Sequence, residues 1–552
     1  MKLRQVEIKG FRGIHQLTLD IDSKQMVLIG ENTWGKSSLL SALTLLSPSQ
    51  LLYQFTKSDF YSEHVTDNIT EAQAEVIFIF KENNEYHQDD KDIFYPLRNV
   101  ITTDENGNRQ IIYQIHAHVS SSGAIITEHH FLSNEKKPYT NITDMTTIIR
   151  YLISHRPILR LKNPLIDTAH LLTTPAIDEP PIKTILAQFN QHDIVSNKPL
   201  FEQGLRAAYL LLDYYLVDRQ RYYRQNCGKM SSMVFTTSDW ATLDRFNHFL
   251  DKHNTHEIRR MVLQVLIEAF NVAGNDDLSS DAKPILLLEE PESQLHPILF
   301  SIAIHLLNNL PIQQIITTNS SDMLSLCELE TIYRLIRYSC HITAYHLSPQ
   351  SLNPSVSRRI KFHLLHRYPS ALFARTWLCV EGETEVWLLS ELAKQAGYDF
   401  NSEGIKIIEF VQCGLKPLIK FADLMGIQWH VLTDGDNAGK NYVETVKSLL
   451  PTLTSLTDHL TVLPAKDIEN FLFHHGFSHI YKMAAFGTTD YVELSISQII
   501  QKAIHKTSKP DLAVAVCEDA EQRGNQTIPT LLKQLFAKTI KLSRFISKIE
   551  ME

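Results

Sequence analysis

Gly30-Glu-Asn-Thr-Trp-Gly35-Lys36-Ser37 is the stretch whose reading decides the fold. It fits GxxxxGK[ST] at every fixed position. A short apolar run at 26–29 precedes it and predicts a strand, and the residues after it predict a helix with Leu39, Leu40, Leu43 and Leu46 on one face. Glycines in such a loop let backbone N–H groups wrap phosphate oxygens at a helix N-terminus, where the helix dipole also favours an anion. Lys36 is spaced to reach the β and γ oxygens of a nucleotide and Ser37 to hold Mg2+, with Glu31, Asn32, Thr33, Trp34 and Ser38 completing the loop.

A second stretch agrees with the first. The apolar run at 284–288 ends in Glu289-Glu290-Pro291. Alone, it reads equally well as a strand leaving the core. Beside a phosphate loop it reads as the strand that delivers one carboxylate to Mg2+ and another to the attacking water. Glu289 is assigned to the metal and Glu290 to the water.

The residues that follow resemble a known group. Glu290-Pro-Glu-x-x-Leu295-His296-Pro297 is similar to the ATP-binding-cassette (ABC) heads of chromosome-maintenance and recombination ATPases, and within that group to the overcoming-lysogenization-defect (OLD) nuclease family. Phe11-Arg12-Gly13 fits the same family, which implies that Arg12 approaches the nucleotide. The resemblance implies ATP sandwiched between two copies, hence a homodimer through the heads. Two positions depart from the pattern. The Ser-Gly-Gly signature loop is missing, with only Ser231-Ser232 and the stretch from Asn254 to Glu257 in its place, and Asn319 stands where a switch histidine is expected. Asparagine can hydrogen-bond a γ-phosphate or water but cannot take a proton, so ATP binding is expected and fast hydrolysis is not.

Further along, Leu378-Cys-Val380-Glu381-Gly382-Glu383-Thr384-Glu385 reads as strand, acidic turn and helix, and the design recurs in 429–440 with Asp434-Gly435-Asp436. In a parallel sheet both turns fall at one carboxyl edge. Glu381, Asp434 and Asp436 could then form an all-oxygen cage for Mg2+ or Mn2+. The plainer alternative is two exposed helix starts, where acidic residues are favoured by the dipole. The arrangement resembles the topoisomerase–primase (Toprim) domain in its OLD-type version. By that resemblance Glu385 is a further metal carboxylate, Glu469 in Asp467-Ile-Glu469 is the late metal-binding glutamate, and Lys509 is the active-site lysine, with Lys506 close enough to compete. The implied reaction is metal-assisted hydrolysis of a DNA phosphodiester, with ATP and Mg2+ or Mn2+ as cofactors, DNA as partner, and room for a helicase or other accessory protein. The likeness spans 1–345 and 371–552 and is most like the YbjD-type branch. A nucleotide-switched DNA or protein clamp with a vestigial Toprim domain is the alternative, opposed by the retention of Glu381, Glu385, Asp434, Asp436 and Glu469 together.

The expected fold class is therefore α/β. An ABC-type P-loop ATPase head with a helical insertion at 141–270, a candidate dimerisation region, occupies 1–345. A polar, proline-punctuated linker follows at 346–370, and then a Toprim α/β domain with a parallel sheet and a helical C-terminal extension at 371–552. Composition sets the outer limits. The chain has 552 residues, 53 basic against 62 acidic, which excludes a globally basic nucleic-acid binder but not a local basic groove. Its 19 glycines are about half the usual share and cluster near the two motifs, at Gly10–Gly35 and Gly382–Gly439. Six cysteines without a CxxC pair, and no long apolar segment, predict a cytoplasmic protein and no membrane partner. Arg219, Arg221 and Arg224 among tyrosines read either as a base-stacking surface or, more simply, as a solvated or dimer-forming helix face. The basic residues from Lys533 to Lys548 are equally open. The 25 histidines show no metal-ligand spacing with cysteine and read as ordinary surface or core residues.

Overall fold

Residues 2–8 alternate as a half-buried strand should, and β1 (Lys2–Phe11) buries Leu3, Val6 and Ile8 while Lys9 is exposed. The structure is a computed structural model, and it describes all residues except 63–71, 83–93, 141, 143, 162–197, 212–236, 254, 273–277, 294, 349, 452–454, 489–493 and 550–552. The chain divides into two compact units, residues 1–327 with 331–344, and residues 328–330 with 345–552.

The first unit is built on a 12-stranded mixed sheet. After β1 come β2 (Ile14–Asp20), β3 (Gln25–Ile29), β4 (Gln73–Lys81), β5 (Thr102–Thr103), β6 (Arg109–Val119), β7 (Ile125–Leu132), β8 (Ile158–Leu161), β9 (Ile285–Glu289), β10 (Gln313–Thr317), β11 (Ile332–Arg337) and β12 (Ile342–His346). Their order is β5-β6-β4-β1-β2-β12-β11-β3-β10-β9-β8, and β7 pairs β6 along the edge away from β4. The pairs among β1, β2, β4, β5, β6 and β7 are antiparallel, whereas β11, β3, β10, β9 and β8 pair in parallel. β10 lies between β3 and β9, so the phosphate loop after β3, Glu289 at the end of β9 and Asn319 beyond β10 all leave one carboxyl edge.

The stretch 141–270 is mainly helical where described, with helices Met145–His155, Lys198–Leu211, Thr237–Lys252 and His256–Val272. It also contributes β8, which the sequence reading missed: four residues behind Pro157 are too few to show a period. The Arg219–Arg224 stripe, Ser231-Ser232 and Asn254 lie outside the described residues.

The second unit holds a four-stranded parallel sheet of β13 (Thr376–Val380), β14 (Ile405–Glu409), β15 (Gln428–Thr433) and β16 (Leu460–Val462), ordered β14-β13-β15-β16. Helices Glu383–Gln395, Leu415–Leu424 and Asn437–Leu449 follow β13, β14 and β15 in turn. Leu388, Leu389 and Leu392 pack with Val516, Leu535 and Phe536 of the C-terminal helices in one core. The basic C-terminal stretch is thus a structural helix, Thr530–Ile549, whose Arg544 is paired with Glu403 and whose Lys541 lies 3.6 Å from Asp458.

Residues 346–370 are corrected from linker to folded structure. A helix at Pro354–Lys361, a π-turn at Phe362–Arg367 and a 3-10 turn at Pro369–Phe373 bury Ile360, His363, Leu364, Leu365, Ala371 and Leu372. Pro354 and Pro369 stand in the first turns of their helical segments, where a missing N–H costs nothing, so they start helices here rather than break them. Among the described residues no helix is long and apolar enough to cross a membrane.

Candidate functional site

In the first unit, backbone geometry fixes the glycine loop between β3 and the helix after it. Gly30 has φ +150° and Gly35 φ +86°, and a Cβ would lie 2.9 Å from the Leu335 carbonyl oxygen at the first and 2.6 Å from Ile342 Cδ1 at the second. Only glycine fits both. Gly35 is the N-cap of the helix Lys36–Leu43, and no side chain caps that end, an arrangement suited to a phosphate. Trp34 is buried under the loop, with the Arg334 guanidinium 5.5 Å from its ring. Lys36 is buried too, which pushes its ammonium below the usual lysine range against the pull of Glu290, Glu292 and Glu31. Its Nζ donates to the Gly30 carbonyl at 2.5 Å and to Asn319 Oδ1 at 2.5 Å.

Asn319 in turn donates through Nδ2 to Glu290 Oε1 at 2.6 Å and meets Asn32 Oδ1 at 3.5 Å. A continuous polar chain therefore runs from Gly30 through Lys36 and Asn319 to Glu290. Glu290 has φ +44°, unusual for a side-chain-bearing residue. Glu289 accepts from Arg160 of β8 at 2.6 and 3.1 Å, a partner for which the sequence held no signal once β8 was missed. The early loop does approach this site, since the Gly13 N–H donates to Ser38 Oγ at 3.2 Å. Arg12 itself, at φ +47°, donates to the buried Asp59 at 2.9 Å. Burial opposes ionisation of Asp59, but hydrogen bonds from Thr56, Tyr53 and Arg12 outweigh it and hold the carboxyl low. Ser37 and Thr33 are exposed on the loop, and Glu31 is partly so.

In the second unit, Glu381 follows β13 and Asp434 follows the neighbouring β15, so both sit at the carboxyl edge. The Asp434 N–H donates to Glu381 Oε1 at 2.9 Å. Asp436 is the N-cap of Asn437–Leu449 and accepts from the Gly439 N–H at 2.8 Å. Glu385 is buried in the first turn of its helix, and Glu469 is buried in Ile468–Leu472 behind the N-cap Asp467. Lys509, at the start of Lys509–Arg523, places Nζ 2.7 Å from Glu469 Oε1.

Electrostatics ties these groups together. Burial, then Glu381, Glu385, Asp467 and Glu469, push the Asp434 carboxyl up to about 8. Burial also raises Glu381 and Glu385, with Asp436 adding to the first and Glu469 to the second. Lys509 is raised, because Glu469, Glu385 and Asp467 outweigh its partial burial. Asp467 is the residue the sequence reading left unassigned; its helix-capping role was legible, but its proximity to Asp434 was not. The expected cage is looser than a closed coordination shell. Among the described residues no three of these carboxylates bring oxygens within 4.8 Å of one another, and the one group that tight is His116, His118 and Glu128 in the first unit. As a donor set the edge still fits a hard divalent cation, being all oxygen and partly buried.

The turn leaves little room. A Cβ on Gly439 would lie 1.9 Å from the Asp434 carbonyl oxygen, and one on Gly435 would lie 2.4 Å from that of Ala465. Gly439→Ala should therefore destabilise the protein by about 1–3 kcal/mol and displace Asp434. A denaturant midpoint equal to that of the wild type would show that the turn is not so constrained.

The family described as "Protein of unknown function (DUF2813)" matches residues 1–371, and "Overcoming lysogenization defect protein-like, TOPRIM domain" matches residues 372–436. The chain is 40% identical over 555 residues to the "Uncharacterized protein YbjD" of Escherichia coli (strain K12), covering 99% of each. It is similar to the C-terminal region of the Burkholderia pseudomallei OLD protein, at 18% identity and TM-score 0.27 over 31% of this chain and 99% of that one. It is also similar to the SMC head domain from Thermotoga maritima, at 12% identity and TM-score 0.29 over 63% of this chain and 100% of that one.

Proposed function

The chain belongs to the DUF2813 family and carries an OLD-like Toprim domain, and from that premise we propose that it is an ATP-binding, metal-dependent DNA endonuclease whose ATPase head, acting as a homodimer, regulates or positions the Toprim site. The observation that carries the proposal is the carboxyl edge of the second sheet, where the Asp434 N–H donates to Glu381, Lys509 pairs with Glu469, and burial first and then four other acidic residues raise the Asp434 carboxyl to about 8. Such crowding is costly unless a cation is bound there, and strongly perturbed groups mark functional sites.

In this reading Glu381, Asp434 and Asp436, with Glu385 and Glu469 behind them, hold Mg2+ or Mn2+. Ions held there would supply an activated water and charge stabilisation for the leaving oxygen. Lys509 keeps its charge because Glu469 faces it, and its half-exposed side chain can turn to a phosphate of DNA. The Gly439 N–H holds the Asp436 carboxylate in one orientation. In the head, Lys36 binds the β and γ oxygens, Ser37 and Glu289 serve Mg2+, and Arg160 must yield Glu289 to it. Arg12 leaves Asp59 to reach the nucleotide. Asn319 aligns water or γ-phosphate between Lys36 and Glu290, and Glu290 takes the proton; turnover is slow because Asn319, unlike a switch histidine, cannot take one. A helicase or other accessory protein would supply the DNA substrate.

Supercoiled plasmid is the test. The wild type should nick it with Mg2+ or Mn2+ and stop in EDTA, while Glu381→Ala should lose at least about 10²-fold in rate. Plasmid left intact across metals and nucleotides, or cut at the wild-type rate by Glu381→Ala, would overturn the nuclease and favour a nucleotide-switched clamp.

A further inference from the structure

The antiparallel wing of the first unit holds a second group of metal-ligand side chains, unrelated to either site above. His116 and His118 stand two residues apart on β6, and Glu128 of β7 pairs directly opposite His116. Side chains two apart on a strand share a face, and directly paired residues across strands are nearest neighbours on it. One ligand atom from each of the three lies within 4.8 Å of the others. His116 Nδ1 is 3.9 Å from Glu128 Oε2, and His130 Nε2 is 3.6 Å from that same oxygen. The two β6 imidazoles are nearly parallel, 5.7 Å apart at 30°.

The opposite face of these strands holds Ile115, Ala117 and Phe131 in the core, so the backbone beneath the histidines is fixed by packing. The histidine face is only partly covered, and a dissolved ion can reach it. Glu75 on β4 also neighbours His116, but it is already engaged by Gln114 at 2.5 Å and Lys9 at 3.3 Å. In sheet order β6 is separated from β3 by β4, β1, β2, β12 and β11, which sets this trio apart from the phosphate loop.

We propose that His116, His118 and Glu128 form a binding site for a late first-row divalent ion, with Zn2+ as its type. Two imidazoles and one carboxylate favour such borderline ions over Mg2+, which prefers oxygen alone. Around tetrahedral Zn2+ the ligand atoms stand about 3.4 Å apart, so the trio must close modestly. Glu128 is 47% exposed at its side chain and is free to make that adjustment. Water takes the fourth position. Spacing along the chain gives these histidines no cysteine partner; the third ligand comes from strand pairing instead.

The experiment titrates Zn2+ alone into full-length protein by calorimetry, with Co2+ absorption as a geometric readout. A Glu381→Gln/Asp434→Asn background removes two of the five Toprim carboxylates and should keep the histidine site. His116→Asn/His118→Asn, on a solvent-facing strand surface, should fold normally. It should lose one equivalent of Zn2+ and the tetrahedral Co2+ bands, weakening that binding by at least the roughly 10–100-fold that loss of a lesser, outer partner costs. A Zn2+-induced rise in thermal midpoint should likewise vanish in the double histidine variant. The proposal is overturned if that variant binds Zn2+ with unchanged stoichiometry and affinity, or if the Glu381→Gln/Asp434→Asn protein binds no Zn2+. Since the background disables the Toprim edge and the histidine variant leaves that edge intact, loss of nuclease activity and loss of this site are read separately.

Discussion

Asp434→Asn should abolish plasmid nicking and yet make the metal-free protein more stable at alkaline pH. The two effects have one cause. The Asp434 carboxyl is pushed from 3.8 to about 8 by burial and by Glu381, Glu385, Asp467 and Glu469. An acid whose pKa is higher folded than unfolded binds more protons in the native state between those values. Its contribution is fully present below about pH 4 and is lost as the pH rises through about 8. At pH 5 the wild-type side chain is neutral and Asn should resemble it. At pH 9 the wild type must hold a carboxylate among other carboxylates, and Asn does not. In a domain of this size each kcal/mol so recovered raises Tm by about 2–4 °C. Mg2+ should reverse the order by stabilising the wild type and not the variant. Nicking should fall by at least about 10²-fold, the scale for losing a group that stabilises transition-state charge. Melting in EDTA at pH 5 and pH 9, beside the plasmid assay, checks both halves. A variant less stable than wild type at pH 9, or one that nicks within about tenfold of it, contradicts the assignment.

Lys36→Ala and Glu290→Gln should both stop ATP turnover, by separable routes. Lys36 Nζ is the junction between the Gly30 carbonyl and Asn319, and it is the buried cation placed for phosphate oxygens. Its removal should abolish nucleotide binding as well as turnover. Glu290→Gln keeps the shape of the site and the cation but removes the proton acceptor. Binding should survive and turnover should fall by about 10²–10⁴-fold, the range for one general base. Fluorescent-nucleotide binding beside phosphate release separates the two. Turnover that survives both substitutions would remove Lys36 and Glu290 from the reaction, and loss of binding in Glu290→Gln would make that residue structural.

Local chemistry was legible along the chain. Gly30, Gly35, Lys36 and Ser37 declare a phosphate loop because their spacing is that of one strand end and one helix start. Glu381 with Gly382, and Asp434 with Gly435, declare acidic turns for the same reason. The fold class follows from these motifs and from the shift to strand–helix alternation after β12, and the parallel sheet of β13 to β16 agrees with it. What stayed hidden depended on partners distant in sequence. Arg160 meets Glu289 only because β8 pairs with β9, and β8 is four residues long. Residues 346–370 read as a linker because polar residues and prolines punctuate them, whereas a few apolar positions bury them.

The sequence by itself determined the local motifs: glycines at a tight strand-to-helix turn with Lys36 beside them, and carboxylates where strands end. Those requirements act over a few residues, so they are written in spacing. Tertiary structure alone decided which charges meet. Sheet order sets β10 between β3 and β9 and so makes Asn319 the bridge from Lys36 to Glu290. Helix packing brings Glu469 and Lys509 to the edge that holds Asp434, and strand pairing sets Glu128 against His116. Coulomb interactions depend on distance in space, and spacing along the chain does not encode that distance.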